Sequence, residues 1–249
     1  TFPIVAWNWK AGGTAVSNTD GTNTSAMVSA NPTAGFSIVS YTGNGSSGAT
    51  IGHGLGVAPS MVIVKSINNS PGYWMVYHSG MTSASYWMPL NLTSAQSAAS
   101  AVWDNTAPTP NVFTVGNDQS VNLSASWDYV AYCFADVEGY SKMGSYTGNG
   151  SADGPFVYTG FRPSYVMVKR TAAAGNWLVY DNKRDAYNPA PNILIPNSSS
   201  AESSGSTTGI DMLSNGIKFR GTNAALNSSG SPYIYMAFAE NPFKNSLAR

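Results

Sequence analysis

One pattern of residues runs through this chain twice, and the repetition constrains the fold more than any other feature. Ser40-Tyr41-Thr42-Gly43-Asn44-Gly45 returns as Ser145-Tyr146-Thr147-Gly148-Asn149-Gly150. Pro59-Ser60-Met61-Val62-Ile63-Val64-Lys65 returns as Pro163-Ser164-Tyr165-Val166-Met167-Val168-Lys169. Trp74-Met75-Val76-Tyr77 matches Trp177-Leu178-Val179-Tyr180, and Tyr129-Val130-Ala131-Tyr132-Cys133-Phe134-Ala135-Asp136 matches Tyr233-Ile234-Tyr235-Met236-Ala237-Phe238-Ala239-Glu240. The four blocks keep their order, and their offsets of 105, 104, 103 and 104 residues differ by at most two. A duplicated unit is the reading this supports. A weaker third echo, Val5-Ala6-Trp7-Asn8-Trp9-Lys10-Ala11 against Val130 to Ala135, makes the N-terminus an extra strand, the closing strand of a further unit. A Thr/Ser/Asn-rich loop over 14–33 would follow it.

Within each copy the pattern is that of strands. Runs 61–65, 74–77, 112–115 and 129–134 and their partners are short and rich in aromatic and β-branched residues. Gly, Pro, Asn and Ser clusters separate them about every ten residues, as in sandwiches and barrels. No stretch of twelve residues keeps an apolar 3.6-residue period, and 94–102 is the best candidate for a single helical turn. The expected fold is therefore all-β: two tandem duplicated β-sandwich-like units with an extra N-terminal strand. The divisions fall at 1–34 (strand and loop), 35–138 (first unit) and 139–249 (second unit). Gly43-Asn44-Gly45 and Gly148-Asn149-Gly150 read as hairpin turns, because Asn-Gly readily supplies positive φ.

Charge then narrows the function. Only 10% of residues are charged, against roughly 25% in ordinary soluble domains, and 12 basic residues balance 12 acidic ones. Nucleic-acid binding needs many phosphate contacts, and no basic stripe exists to make them. The longest apolar runs fall far short of a membrane span. An uncharged polar surface suits subunit contacts and sugars better than a cytosolic monomer. The chain opens at Thr1 with no leader-like segment, as expected of a piece of a longer protein. Cys133 is the one cysteine, which excludes an internal disulfide or a thiolate metal cluster.

The chemical motifs are weak. Gly43-Asn44-Gly45-Ser46-Ser47-Gly48 fits G-x-G-x-x-G, but a strand pattern follows where a dinucleotide site needs a helix, and the second copy has Asp153 in place of the third glycine. Asn18-Thr19-Asp20-Gly21-Thr22-Asn23 has calcium-friendly oxygens without the full spacing. His53 and His78 have no ligand partner at metal spacing, so neither a metal nor a cofactor is expected. Asp136, Asp181, Asp185 and Glu240 are scattered rather than paired, no nucleophile elbow occurs, and no catalytic residue is assigned.

The aromatics say more. Trp74, Tyr77 and His78 correspond to Trp177, Tyr180 and Asp181. As duplicated positions they are core and strand-end residues, or else they line a recognition groove, and these six are the candidate binding residues. Unduplicated Tyr86, Trp87 and Trp103 are further candidates for exposed contacts.

Several stretches together resemble a family of uncharacterised domains in marine bacteriophage virion proteins. They are Val5-Ala6-Trp7-Asn8-Trp9-Lys10-Ala11-Gly12-Gly13, Gly35 to Gly45, Gly52-His53-Gly54-Leu55-Gly56-Val57-Ala58-Pro59, Ala131 to Ala135 and Tyr235 to Phe243. The resemblance covers nearly the whole chain and brings no catalytic residues. It implies a structural part of a tail fibre or similar appendage on the extracellular surface of the virion. It also implies assembly with itself as a homo-oligomer, a trimer being usual for fibres, beside other virion proteins. The expected role is host adhesion through receptor binding, with a host-surface glycan as the partner and neither nucleic acid nor membrane insertion involved. A purely architectural capsid or neck decoration protein and a polysaccharide-degrading enzyme are the alternatives.

Overall fold

The computed structural model describes residues 4–68 and 72–241, so the outermost parts of the expected segments 1–34 and 139–249, and the end of the Tyr235 to Phe243 run, lie outside the described residues. Two short strands come first, β1 (Val16–Ser17) and β2 (Met27–Asn31). The first unit holds β3 (Phe36–Thr42), β4 (Ala49–Gly52), β5 (Met61–Ser66), β6 (Met75–His78), β7 (Tyr86–Pro89), β8 (Ser97–Ala98), α1 (Ser100–Trp103), β9 (Val112–Val115) and β10 (Asp128–Phe134). The second holds β11 (Ser141–Thr147), β12 (Phe156–Tyr158), β13 (Pro163–Arg170), β14 (Leu178–Asp181), β15 (Asn192–Ile193), β16 (Ser203–Ser204), β17 (Ile210–Leu213), β18 (Gly216–Phe219), α2 (Ala224–Asn227) and β19 (Pro232–Ala239).

The expected all-β class and the doubling are both visible in the sheet order. The first unit's main sheet is eight-stranded, β1-β2-β3-β10-β5-β6-β7-β8, and its central β3-β10-β5-β6 has the same order, strand for strand, as the second unit's four-stranded sheet β11-β19-β13-β14. A smaller second layer faces each one: β4-β9 in the first unit and β12-β18-β17 in the second. Ladders are antiparallel throughout; β10 lies between β3 and β5 as β19 lies between β11 and β13, with a bulge between Pro163 and Tyr165 in the second unit alone of these four ladders.

The N-terminal echo is a correction. Residues 4–12 form no strand; β2, from the stretch expected to be loop, supplies the extra one by pairing with the edge of β3. Its Val28 and the turn Asn31–Gly35 fit a hairpin, with the Asn31 side chain accepting from the Ala34 amide at 3.2 Å.

The two Gly-Asn-Gly segments are also corrected. Gly45 and Gly150 do take positive φ, 71° and 70°, but β3 pairs with β2 and β10, never with β4. Each segment carries the chain from the main sheet to the second layer. There it is held by a buried asparagine. Asn122 donates from Nδ2 to Asn44 Oδ1 (3.0 Å), Ser46 O (2.9 Å) and Gly116 O (3.0 Å), and accepts from the Asn44 amide at 2.8 Å. Asn227 does the same to Asn149 Oδ1 (3.1 Å), Ser151 O (2.8 Å), Gly221 O (3.1 Å) and the Asn149 amide (2.8 Å). A stacked tyrosine pair backs each latch: Tyr41 on Tyr129, Tyr146 on Tyr233. Tyr41 and Tyr146 each donate to a backbone carbonyl of the latch loop, Val121 (2.7 Å) and Leu226 (2.6 Å).

Three cores result. Val62, Val64, Tyr77 and Ala131 fill the first unit against Ile51, Phe113 and Trp103. Val166, Val168, Tyr180 and Tyr235 fill the second against Val157, Ile217 and Phe219. The third core is shared: Met61, Ile63, Phe36 and Phe134 meet Tyr165, Met167, Met236 and Phe238 where the outer faces of the two main sheets press together. Side chains alternate across a strand, so β5 sends Met61 and Ile63 to the shared core and Val62 and Val64 to its own. A sheet buried on both faces needs such an unbroken apolar run. Methionine is concentrated in the shared core, at 61, 81, 88, 143, 167 and 236. Its unbranched, polarizable side chain fills the irregular gaps left when two similar but unequal faces meet.

Candidate functional site

The six candidate binding residues all lie on or beside β6 and β14, the strands carrying the duplicated Trp-x-x-Tyr. Five of them are buried: Tyr77, His78, Trp177, Tyr180 and Asp181. They are not an exposed recognition surface. They hold the units together and close each core.

Trp177 is 1% exposed, and its Nε1 donates to the Pro89 carbonyl of the other unit at 3.0 Å. Its counterpart Trp74 is half-buried and stacks on Tyr132 at 6.3 Å with planes 14° apart. The backbone amides of both tryptophans are held alike, by Asn91 Oδ1 (3.0 Å) and Asn197 Oδ1 (2.8 Å). Tyr77 meets Trp103 edge-on, and Tyr180 donates to Thr208 O at 2.7 Å.

His78 also crosses the joint. The Gly80 amide donates to its Nδ1 at 2.9 Å, which leaves the proton on Nε2 to donate to Tyr235 O at 3.1 Å. Burial pushes its pKa down to about 4, because a charged ring would lose its hydration there. Asp181 instead turns inward to Arg184, with Nε–Oδ2 at 2.6 Å and amides of Lys183 and Arg184 donating to Oδ1. Further along the seam, Lys169 donates to Thr93 O (2.9 Å) and Gly175 O (2.6 Å), and burial lowers its pKa to about 8.

A cavity of about 450 Å³ lies at the joint, lined by Trp7, Trp9, Trp74, Tyr132, Tyr165 and other apolar side chains. From the N-terminal segment, Trp7, Asn8 and Trp9 reach it. Trp9 packs edge-on against Phe134, Tyr165 and Phe238, rings of both units, at 5.4–5.9 Å. Trp7 adds an edge contact to Tyr165 at 5.4 Å. The N-terminal segment is thus a wedge across both sheets rather than a strand.

The remaining candidates are placed as follows. Trp103 is buried, while Tyr86 and Trp87 are half-buried. His53 is buried, its Nε2 3.0 Å from Thr109 O, and burial lowers its pKa. Cys133 is buried and its thiol pushed up to about 12 by desolvation, so it is a packing residue. The four scattered carboxylates are engaged separately: Asp136 with Lys142, Asp181 with Arg184, Glu240 with Arg162, and Asp185 with Asn192. In the calcium-like loop, Asn18 donates to Asp20 at 3.0 Å. Among the described residues no group of three or more His, Cys, Asp or Glu side chains is placed to hold a metal.

Fold and joint together define a doubled all-β protein whose two sandwich-like units share a core. By family, residues 1–242 match a domain of unknown function, DUF7483, and the chain belongs to that family. No curated protein matches it. No solved structure matches it either.

Proposed function

We propose that this chain is a non-catalytic structural module of a bacteriophage tail fibre or related appendage, contributing to attachment to a host-surface glycan. The observation that carries the reading is the use made of the duplicated polar and aromatic residues. The Asn122 and Asn227 latches, the Trp177–Pro89 bond and the His78–Tyr235 bond all spend their hydrogen-bonding capacity on architecture. A body so constructed resists deformation, as a load-bearing appendage must. Its surface is poor in charge, which suits packing against copies of itself, a trimer in a fibre, and against neighbouring virion proteins.

Two measurements test the reading. Antibodies raised against this chain should decorate the tails of intact particles in electron micrographs, and the purified chain should adsorb to cells the phage infects. A chain confined to the soluble fraction of infected cells, or one that cleaves polysaccharide, contradicts it.

A further inference from the structure

The two units differ most at the rim of the second layer. In the first unit this chain covers the outer edge of β4 itself. The Thr50 amide donates to Thr22 Oγ1 at 2.9 Å, and the Asn23 amide donates to Thr50 O at 3.0 Å. Asn18 packs so closely on Gly52 that a Cβ there would lie 1.7 Å from its Oδ1. The pairings of Ile51 with Phe113 and Val157 with Ile217 make Phe156 and Tyr158 the counterparts of Thr50 and Gly52. Where the first unit has small, covered residues, the second has two large aromatics that are 46% and 67% exposed.

Glycines neighbour both rings, and the Phe156 ring rests on one. A Cβ on Gly216 would lie 2.7 Å from the Phe156 ring, and Tyr158 lies alongside Gly160, its hydroxyl 3.7 Å from the Cβ position. Being two residues apart on one strand, the rings share a face with roots about 7 Å apart. Tyr158 also forms a wall of a second cavity, about 540 Å³, together with Asp136, Glu138 and Lys142. Lys142 and Asp136 are paired there at 2.6 Å.

We propose that this face is a carbohydrate-binding platform for a neutral pyranose chain. The argument rests on the attachment reading above and gives it a place. The C–H face of a sugar ring is weakly positive and stacks on the negative face of an aromatic ring. Gly216 beneath Phe156 lets that ring lie close against the sheet, and the adjoining cavity adds the Asp136–Lys142 pair for hydroxyl groups to bridge. The one ammonium in that wall, on Lys142, is already held by Asp136, so the wall favours neutral sugars over uronic and sialic acids.

The test is calorimetric titration of the full chain with cellohexaose, laminarihexaose, mannohexaose and chitohexaose, on wild type, Phe156→Ala, Tyr158→Ala and, as control, Tyr187→Ala, with melting and sedimentation measured on each. The platform predicts binding of at least one probe, weakened about fivefold to tenfold by either platform substitution. Tyr187→Ala, at an 87% exposed position between β14 and β15 rather than on β12, should leave binding unchanged, and all variants should melt like wild type. Binding that survives both platform substitutions overturns the site while leaving attachment intact. Absence of binding to every probe overturns the platform, and cell adsorption then judges attachment by itself. A platform substitution that changes the oligomeric state instead assigns the face to a contact between copies.

Discussion

The two units carry one fold with opposite treatment of its edges. In the first, β2 extends β3 and residues 18–23 seal β4. In the second, among the described residues, β11 forms a ladder with β19 alone, apart from the single Val137–Ser141 bridge, and β12 with β18 alone. Side chains follow the difference: Thr50 is half-buried and Gly52 buried, while Phe156 and Tyr158 face solvent. The inner positions did not diverge in this way, since the asparagine latch and stacked tyrosines are reproduced bond for bond. A duplicated fold must keep its core twice, whereas its rim is free to acquire separate work.

Substitutions at matched positions break or sharpen this comparison. The tryptophans should be the most unequal. Trp177→Ala removes a fully buried ring and its bond to Pro89, and should cost about 5 kcal/mol. Trp74→Ala, at a half-exposed stacked ring, should cost about 1 to 2 kcal/mol. Urea unfolding of both variants checks this, and equal losses would contradict the unequal burial. The latches should behave alike. Asn122→Ala and Asn227→Ala each strand several buried polar groups and should each cost about 3 to 4 kcal/mol, within about 1 of one another.

His78 gives a pH signature found at that corner of the first unit only. Its folded pKa of about 4 lies below its ordinary value of 6.5, so on acidification the unfolded chain takes up the proton first. The stability held above pH 6.5 should fall as pH drops toward 4, by on the order of 3 kcal/mol. His78→Gln should flatten that slope in urea unfolding between pH 7 and 4, with His53 retaining part of it. The smallest effect belongs to the rim: Thr22→Ala loses a hydroxyl that accepts from Thr50 and should cost about 1 kcal/mol by the same measurement.

Much of the fold was legible. Repetition at a near-constant offset disclosed the doubling, and short aromatic and β-branched runs disclosed strands. The shared core was also written in the sequence, in Met61-Val62-Ile63-Val64 and Val166-Met167-Val168, since an unbroken apolar run means burial on both faces where a lone sandwich would alternate. Which second surface buries them is not a local property, so the joint stayed hidden. The same limit explains the site. Trp74, Tyr77, His78, Trp177, Tyr180 and Asp181 stand out as residue types, but five lie inside because β6 and β14 face the joint and the cores. Gly-Asn-Gly supplies positive φ equally well to a hairpin and to a crossing between layers, and only Asn122 and Asn227, about 78 residues downstream, decide which. Phe156 and Tyr158 had a signal that comparison of the copies could have found: large aromatics standing against Thr50 and Gly52.

The central claim is that a shared apolar core makes two copied units one cooperative body. Scanning calorimetry of the whole chain measures this directly. The account predicts a single transition whose van't Hoff and calorimetric enthalpies agree. Two resolved transitions, each carrying about half the heat, would show that the units melt independently and would contradict it.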